Sequence, residues 1–233
     1  MNLLLNTPPL NVGEQMAFDE ILVRQRPHEV SFRFYNWGSF GPAVTFGYAQ
    51  FIQEVRRVLE NHRFLGDYTR RPTGGGVVFH TDDLTFSLVF EHAGRPVEIY
   101  EKLHAFILRE IAKINPEKLT LEGQVSREFY KPSVQNQASA CFLRPVENDI
   151  LDEKGQKILG GAIRRFGTTV LYQGSLQVKH ARNNPAYKNA LTQAVRTFLG
   201  VDLFPRRADE QTLLAAKELA QTQYQTTAWK EKF

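Results

Sequence analysis

Three consecutive glycines, Gly74, Gly75 and Gly76, stand between a double arginine and an alternating apolar run in "RRPTGGGVVFHTDDLTFSLVF", residues 70–90. Glycine enters left-handed conformations at little steric cost, and a run of it leaves main-chain N–H groups bare to whatever approaches. Two readings fit. The glycines make a tight hairpin between "DYTRR" and "VVFH", or they form a cradle for an anionic or planar group. A two-residue hairpin needs one or two glycines, not three. Arg70 and Arg71 add planar, permanently charged forks suited to a carboxylate or phosphate. The cradle is therefore preferred. It is not a Walker A loop, since no Gly-Lys-Ser/Thr follows, and G-x-G-x-x-G occurs nowhere in the sequence.

The residues around this stretch set its context. Leu84, Phe86, Leu88 and Phe90 alternate with Asp83, Thr85, Ser87 and Val89, a period of two that predicts a half-buried strand. "VGEQMAFDEILVRQ" reads as a first helix, "VSFRFYNWGSFGPAVTFGY" as two strands and a turn, and "FIQEVRRVLENH" as a short helix. Ile99, Leu103, Phe106, Ile107 and Ile111 share one face of a helix. Strands and turns return in "DILDEKGQKILGGAIRRFGTTVLYQGSLQV". Asn184 as N-cap, Pro185 in the first turn and Gly200 past the end bound another helix. A terminal helix with a short polar extension closes the sequence. Strands cluster rather than alternate strictly with helices, which favours an α+β domain with a mixed, largely antiparallel sheet over a doubly wound fold.

At 233 residues the chain fits one large domain, and 42% hydrophobic with 23% charged residues is ordinary for a globular core. Its single cysteine, Cys141, forbids an internal disulfide, so the chain reads as intracellular. "MNLLLNTPPLNVGEQ" lacks the basic flank and apolar length of a signal peptide, and no stretch approaches the roughly 20 apolar residues of a membrane span. Cytoplasmic, with no membrane, is the expectation. A net charge of +4 is too scattered to argue for nucleic acid but suits an acidic partner.

"RRPTGGGVVFH" resembles the R-R-x-S/T-G-G-G-x-V-x-H signature of the lipoate–protein ligase and octanoyltransferase family, which shares its fold with biotin–protein ligases. "GQKILGGAIRR", residues 155–165, resembles the motif that holds the family's essential lysine. "NVGEQMAFDEIL", "LYQGSLQV" and "AKELAQTQYQTTAW" are similar to further family segments, in the family's order. The resemblance implies a biotin/lipoate protein ligase-like (class II synthetase-like) α+β catalytic domain over residues 1–233. It leaves no room for the accessory domain that many ligases carry. Biotin–protein ligases use a G-R-G-R-x-G-R loop, which this sequence lacks.

By the resemblance, Arg70, Arg71, Thr73, Gly74, Gly75, Gly76, Val77 and Val78 form the loop that wraps the acyl group, and His80 and Asp83 close it. Lys157 points at the acyl carbonyl and stabilises its oxyanion. Asn148 and Asp149 resemble a pair that ligases place near the adenylate, and Gly160 and Ala162 belong to the lysine motif. Read without the motif, Lys157 would be a solvated turn lysine. Leu159, Gly161 and Gln173 depart from the family pattern; histidine is common where Gln173 stands.

Two activities follow from the resemblance. A ligase joins free lipoate to a lysine of a lipoyl domain through an acyl-adenylate and requires ATP and Mg. An octanoyltransferase takes its acyl group from acyl carrier protein and requires no cofactor. One octanoyltransferase branch carries a cysteine nucleophile in a segment resembling A-C-F-x-x-P-x-x-x-D/E. This chain reads "ACFLRPVENDI", with Cys141 in place. As a lone cysteine it would otherwise be a small buried hydrophobe. The preferred reading is a cysteine-dependent octanoyl- or lipoyltransferase in lipoate biosynthesis. Its partners are acyl carrier protein and the lipoyl domains of 2-oxoacid dehydrogenases or the glycine cleavage H protein. The alternatives are an ATP-dependent ligase and a non-catalytic acyl-binding module.

Overall fold

The first helix starts where the sequence places it because its opening turn closes on itself. The Asn11 side chain accepts the Glu14 amide at 3.1 Å while the Glu14 carboxylate accepts the Asn11 amide at 3.0 Å, so two N–H groups are satisfied reciprocally. The computed structural model describes residues 1–114, 119–121 and 148–233. In chain order the strands are β1 (Asn2–Asn6), β2 (Val30–Phe34), β3 (Ala43–Phe46), β4 (Asp67–Arg70), β5 (Val78–His80) and β6 (Leu84–Glu91). They continue with β7 (Thr120–Leu121), β8 (Ile150–Leu151), β9 (Lys157–Phe166), β10 (Thr169–Leu176) and β11 (Phe204–Arg207). The helices are α1 (Val12–Gln25), α2 (Ile52–Asn61), α3 (Pro96–Ile111), α4 (Pro185–Leu199), α5 (Glu210–Leu219) and α6 (Thr227–Lys230).

The large sheet runs β11–β1–β2–β6–β10–β9–β8–β7. β1 is parallel to both its neighbours, and every other pairing in that sheet is antiparallel. The fold is thus the expected α+β arrangement, a mixed, mostly antiparallel sheet flanked by helices. One face carries α3 and α4, where Ile99, Leu103, Ile107 and Leu191 pack on Phe32, Phe86 and Tyr172. Each such side chain, fully buried, contributes about 1.5–3 kcal/mol. The other face carries α1 and α5. α4 ends as its sequence predicts, with Asn184 capping its start and Gly200 left-handed at its end.

β6 is buried on both faces, not half-buried. Its polar side, Thr85 and Ser87, with Asp83 just before the strand, lies in the protein interior and meets polar partners rather than water.

A second sheet, ordered β4–β3–β5, packs on α2 through Val44, Phe46, Val55 and Leu59. This order decides the question of the three glycines. β4 and β5 do not pair with each other; β3 lies between them. The loop over residues 71–77 must cross the end of β3, so it is not a hairpin turn. Gly75 has φ +90° and supports that crossing, a conformation side chains rarely adopt. Gly47, just past β3, lies beneath the loop: a Cβ there would sit 1.8 Å from the Gly75 carbonyl oxygen.

Candidate active site

The glycine loop is held from inside by Arg71. Its guanidinium donates to the carbonyls of Gly74 and Gly76 at 2.8 and 2.9 Å, and to Thr45 Oγ1 at 2.9 Å. Arg70 sits elsewhere than a ligand fork would. Its Nε donates to the Trp229 carbonyl at 3.0 Å, Nη1 to those of Tyr48 and Gln50 at 2.6 and 2.7 Å, and Nη2 to that of Lys230 at 2.7 Å. A fully buried guanidinium must be satisfied this densely. Arg70 therefore ties β4 to the C-terminal segment, a partnership invisible in the local sequence.

Beneath the loop, β9, β10 and β5 wall a narrow cleft that opens to solvent. Of the expected residues, Arg71, Val78, His80, Gly160 and Ala162 line it. Val77 instead packs in the small core against α2, and Gly74 and Gly75 are exposed on the outer side of the loop. Sequence reading missed Met16, Tyr35 and Thr45, which line the cleft from α1, the end of β2 and β3.

His80, backed by the buried Asp83, forms the polar end of the cleft. The Asp83 carboxylate faces His80 Nδ1 at 2.9 Å and accepts Thr85 Oγ1 at 2.8 Å, Ser175 Oγ at 2.6 Å and Arg182 Nη2 at 3.1 Å. Burial opposes its ionisation, but the His80 charge and the hydrogen bonds outweigh burial and hold its carboxyl below the usual range. Trp37 stacks on His80 at 5.0 Å, and His80 Nε2 meets Thr45 Oγ1 at 2.8 Å.

Gln173 joins this cleft to a buried polar chain. Its amide donates to Asp19 Oδ2 at 2.7 Å and to the Tyr35 hydroxyl at 2.9 Å, and its Oε1 accepts Thr73 Oγ1 at 2.6 Å. Asp19 in turn faces Arg33 at 2.7 Å and accepts Ser87 Oγ at 2.7 Å. A side chain able both to donate and to accept is needed there, and glutamine supplies both ends at once. The polar alternation of β6 was the one sequence signal pointing to this buried network.

Lys157, the first residue of β9, lies folded over Gly160, with its side chain 2% exposed and its Nζ 2.8 Å from Asp149 Oδ2. A Cβ on Gly160 would come within 2.4 Å of that Nζ, so the glycine is what lets the lysine lie there. Gly161 serves the neighbouring strand: its Cβ would fall 2.4 Å from the Tyr172 hydroxyl and ring. Asn148, left-handed at φ +71°, offers its carbonyl to His104 Nδ1 at 2.5 Å, and His104 Nε2 meets the Tyr172 hydroxyl at 2.7 Å. Cys141 lies outside the described residues.

Comparison with known proteins agrees with this architecture. Residues 11–197 match the family model "Lipoyl protein ligase A/B catalytic domain". The chain is 29% identical over 175 residues to "Octanoyltransferase LipM" of Carboxydothermus hydrogenoformans, a match covering 72% of this chain and 61% of that protein. It is 32% identical over 181 residues to the protein of the same name from Symbiobacterium thermophilum, covering 74% and 64%. The chain thus spans about three fifths of the length of these curated relatives. The crystal structure of lipoate-protein ligase A bound with ATP superposes with a TM-score of 0.74 at 22% identity, covering 99% of this chain and 98% of that one.

Proposed function

The chain belongs to the lipoyl protein ligase A/B catalytic domain family, and we propose that it is an acyltransferase moving an octanoyl group from acyl carrier protein to a lysine of a lipoyl domain. The proposal treats residues 1–233 as one catalytic domain. One observation carries it: Lys157 lies folded over Gly160, whose backbone forms part of the wall of the cleft beneath the glycine loop. The names of the relatives favour transfer over ligation.

In this reading the Cys141 thiolate attacks the octanoyl thioester. A new C–S bond forms, and the phosphopantetheine thiolate leaves and takes up a proton. The acceptor lysine's amine then attacks the enzyme thioester. An amide forms, the proton lost by the amine goes to solvent, and Cys141 departs as thiolate. Each step passes through an oxyanion, which the Lys157 ammonium stabilises. Thioester to thioester is nearly balanced and thioester to amide is downhill, so the sequence runs without ATP. Val78 and Ala162 give the octanoyl chain apolar wall, and the Arg71-braced loop covers it.

The test mixes the protein with octanoyl-acyl carrier protein and a lipoyl domain and weighs the domain. One added octanoyl group, lost in Lys157→Ala and Cys141→Ala, supports the proposal. Modification that instead demands free lipoate and ATP establishes the ligase reading, and no modification under either condition leaves a binding module.

A further inference from the structure

Lys157 does not hold its position alone. Its partner Asp149 follows directly on Asn148, whose carbonyl is fixed by His104 on α3. A carbonyl only accepts, so His104 Nδ1 carries the proton and donates; Nε2 is then bare and accepts the Tyr172 hydroxyl. The imidazole is fully buried. Burial, joined by the Lys157 charge and opposed by the Asn148 hydrogen bond, lowers its pKa from the ordinary 6.5 to about 4, so it stays neutral in this tautomer. Tyr172 is kept in place by the bare backbone of Gly161 and by Phe86, stacked on its ring at 5.7 Å. A Cβ on Gly161 would collide with the Tyr172 ring and hydroxyl.

We propose that His104 and Tyr172 are positioning residues for Lys157: the Tyr172–His104–Asn148 hydrogen-bond chain fixes the left-handed turn that aims Asp149 at the lysine. The inference rests on the proposed acyl transfer for its kinetic consequence, but not for its structural one. A left-handed asparagine is a strained conformation that persists where its surroundings over-determine it, and the His104 bond supplies that determination from across the core. Without it the turn relaxes, Asp149 swings, and the ammonium loses its fixed place against Gly160.

Three variants test this. His104→Leu removes the donor. His104→Asn keeps a donor where Nδ1 was. Tyr172→Phe keeps the ring and removes the hydroxyl. For octanoyl transfer, His104→Leu is expected to lower kcat by about 10- to 100-fold, the scale of a misplaced catalytic group, with KM for the donor nearly unchanged. His104→Asn restores most of kcat, and Tyr172→Phe costs roughly three- to tenfold and adds little on top of His104→Leu, because both act through one chain. A second reading is independent of activity. An amine-acetylating reagent, followed by peptide mass, should label Lys157 several-fold faster in His104→Leu than in the wild type or His104→Asn. Wild-type kcat in His104→Leu, or His104→Asn no better than His104→Leu, overturns the proposal. If the wild type transfers no acyl group, the proposed function fails, and equal Lys157 labelling in all three proteins separately overturns this inference. If His104→Leu does not fold, Tyr172→Phe decides, and unchanged kcat with unchanged labelling overturns it.

Discussion

Gly160 and Lys157 occupy one space: a Cβ on the glycine would stand 2.1 Å from the lysine's Cε and 2.4 Å from its Nζ. Gly160→Ala should therefore expel the side chain from its place. Overpacking at such a site costs about 1–3 kcal/mol, which a domain of this size survives, whereas displacing the proposed oxyanion donor should lose about 10²–10³ in kcat. The expected outcome is a folded protein with acyl transfer close to that of Lys157→Ala. Full activity would mean that Lys157 works from another position.

The loop makes a paired prediction. Gly47→Ala drives a Cβ into the Gly75 carbonyl, a main-chain atom that cannot step aside, while a Cβ on Gly74 meets nothing within 4 Å. Thermal unfolding should show Gly47→Ala clearly destabilised and Gly74→Ala unchanged. Gly74→Val then probes the ligand: a raised donor KM at unchanged Tm places the bound acyl donor against that side of the loop. Gly75→Val is the less clean test, because its φ of +90° strains any side chain whether or not a ligand is present.

How much of this was legible in the sequence differs from residue to residue. Asn184, Pro185 and Gly200 announced α4 because caps and stops act within one turn. The glycine run announced a special loop, but not that β3 would lie between its flanking strands; pairing across a sheet leaves no local trace. Arg70 looked like a ligand fork because the carbonyls its guanidinium meets lie 20 to 160 positions away. The alternation of β6 suggested a wet face. In fact Asp19 and Arg33, themselves buried, turn that face into an interior polar network. His104 sat unnoticed on the apolar face of α3, since nothing nearby in sequence forecasts its bonds to Asn148 and Tyr172.

Acid should find His104 first. Its folded pKa of about 4 lies below the ordinary 6.5, so the unfolded chain takes up this proton before the folded one. The stabilisation is complete above pH 6.5 and is lost as pH falls from there to about 4, an amount of roughly 3 kcal/mol by linkage. Asp83, held low, adds a second loss below its unfolded value of about 3.9. Urea midpoints measured across this range should slope downward with acid in the wild type. The upper part of the slope should flatten in His104→Asn. A wild-type midpoint constant from pH 6.5 to 4 would contradict a buried neutral imidazole.

In the proposed transfer the acyl group passes through this chain as a thioester on Cys141. Intact-protein mass, taken after mixing with octanoyl-acyl carrier protein in the absence of ATP and acceptor, tests it most directly. The expected result is one added octanoyl group, released by hydroxylamine, passed on when a lipoyl domain is added, and missing in Cys141→Ala. An unmodified chain that nonetheless acylates the lipoyl domain, or a Cys141→Ala variant that transfers at the wild-type rate, would contradict it.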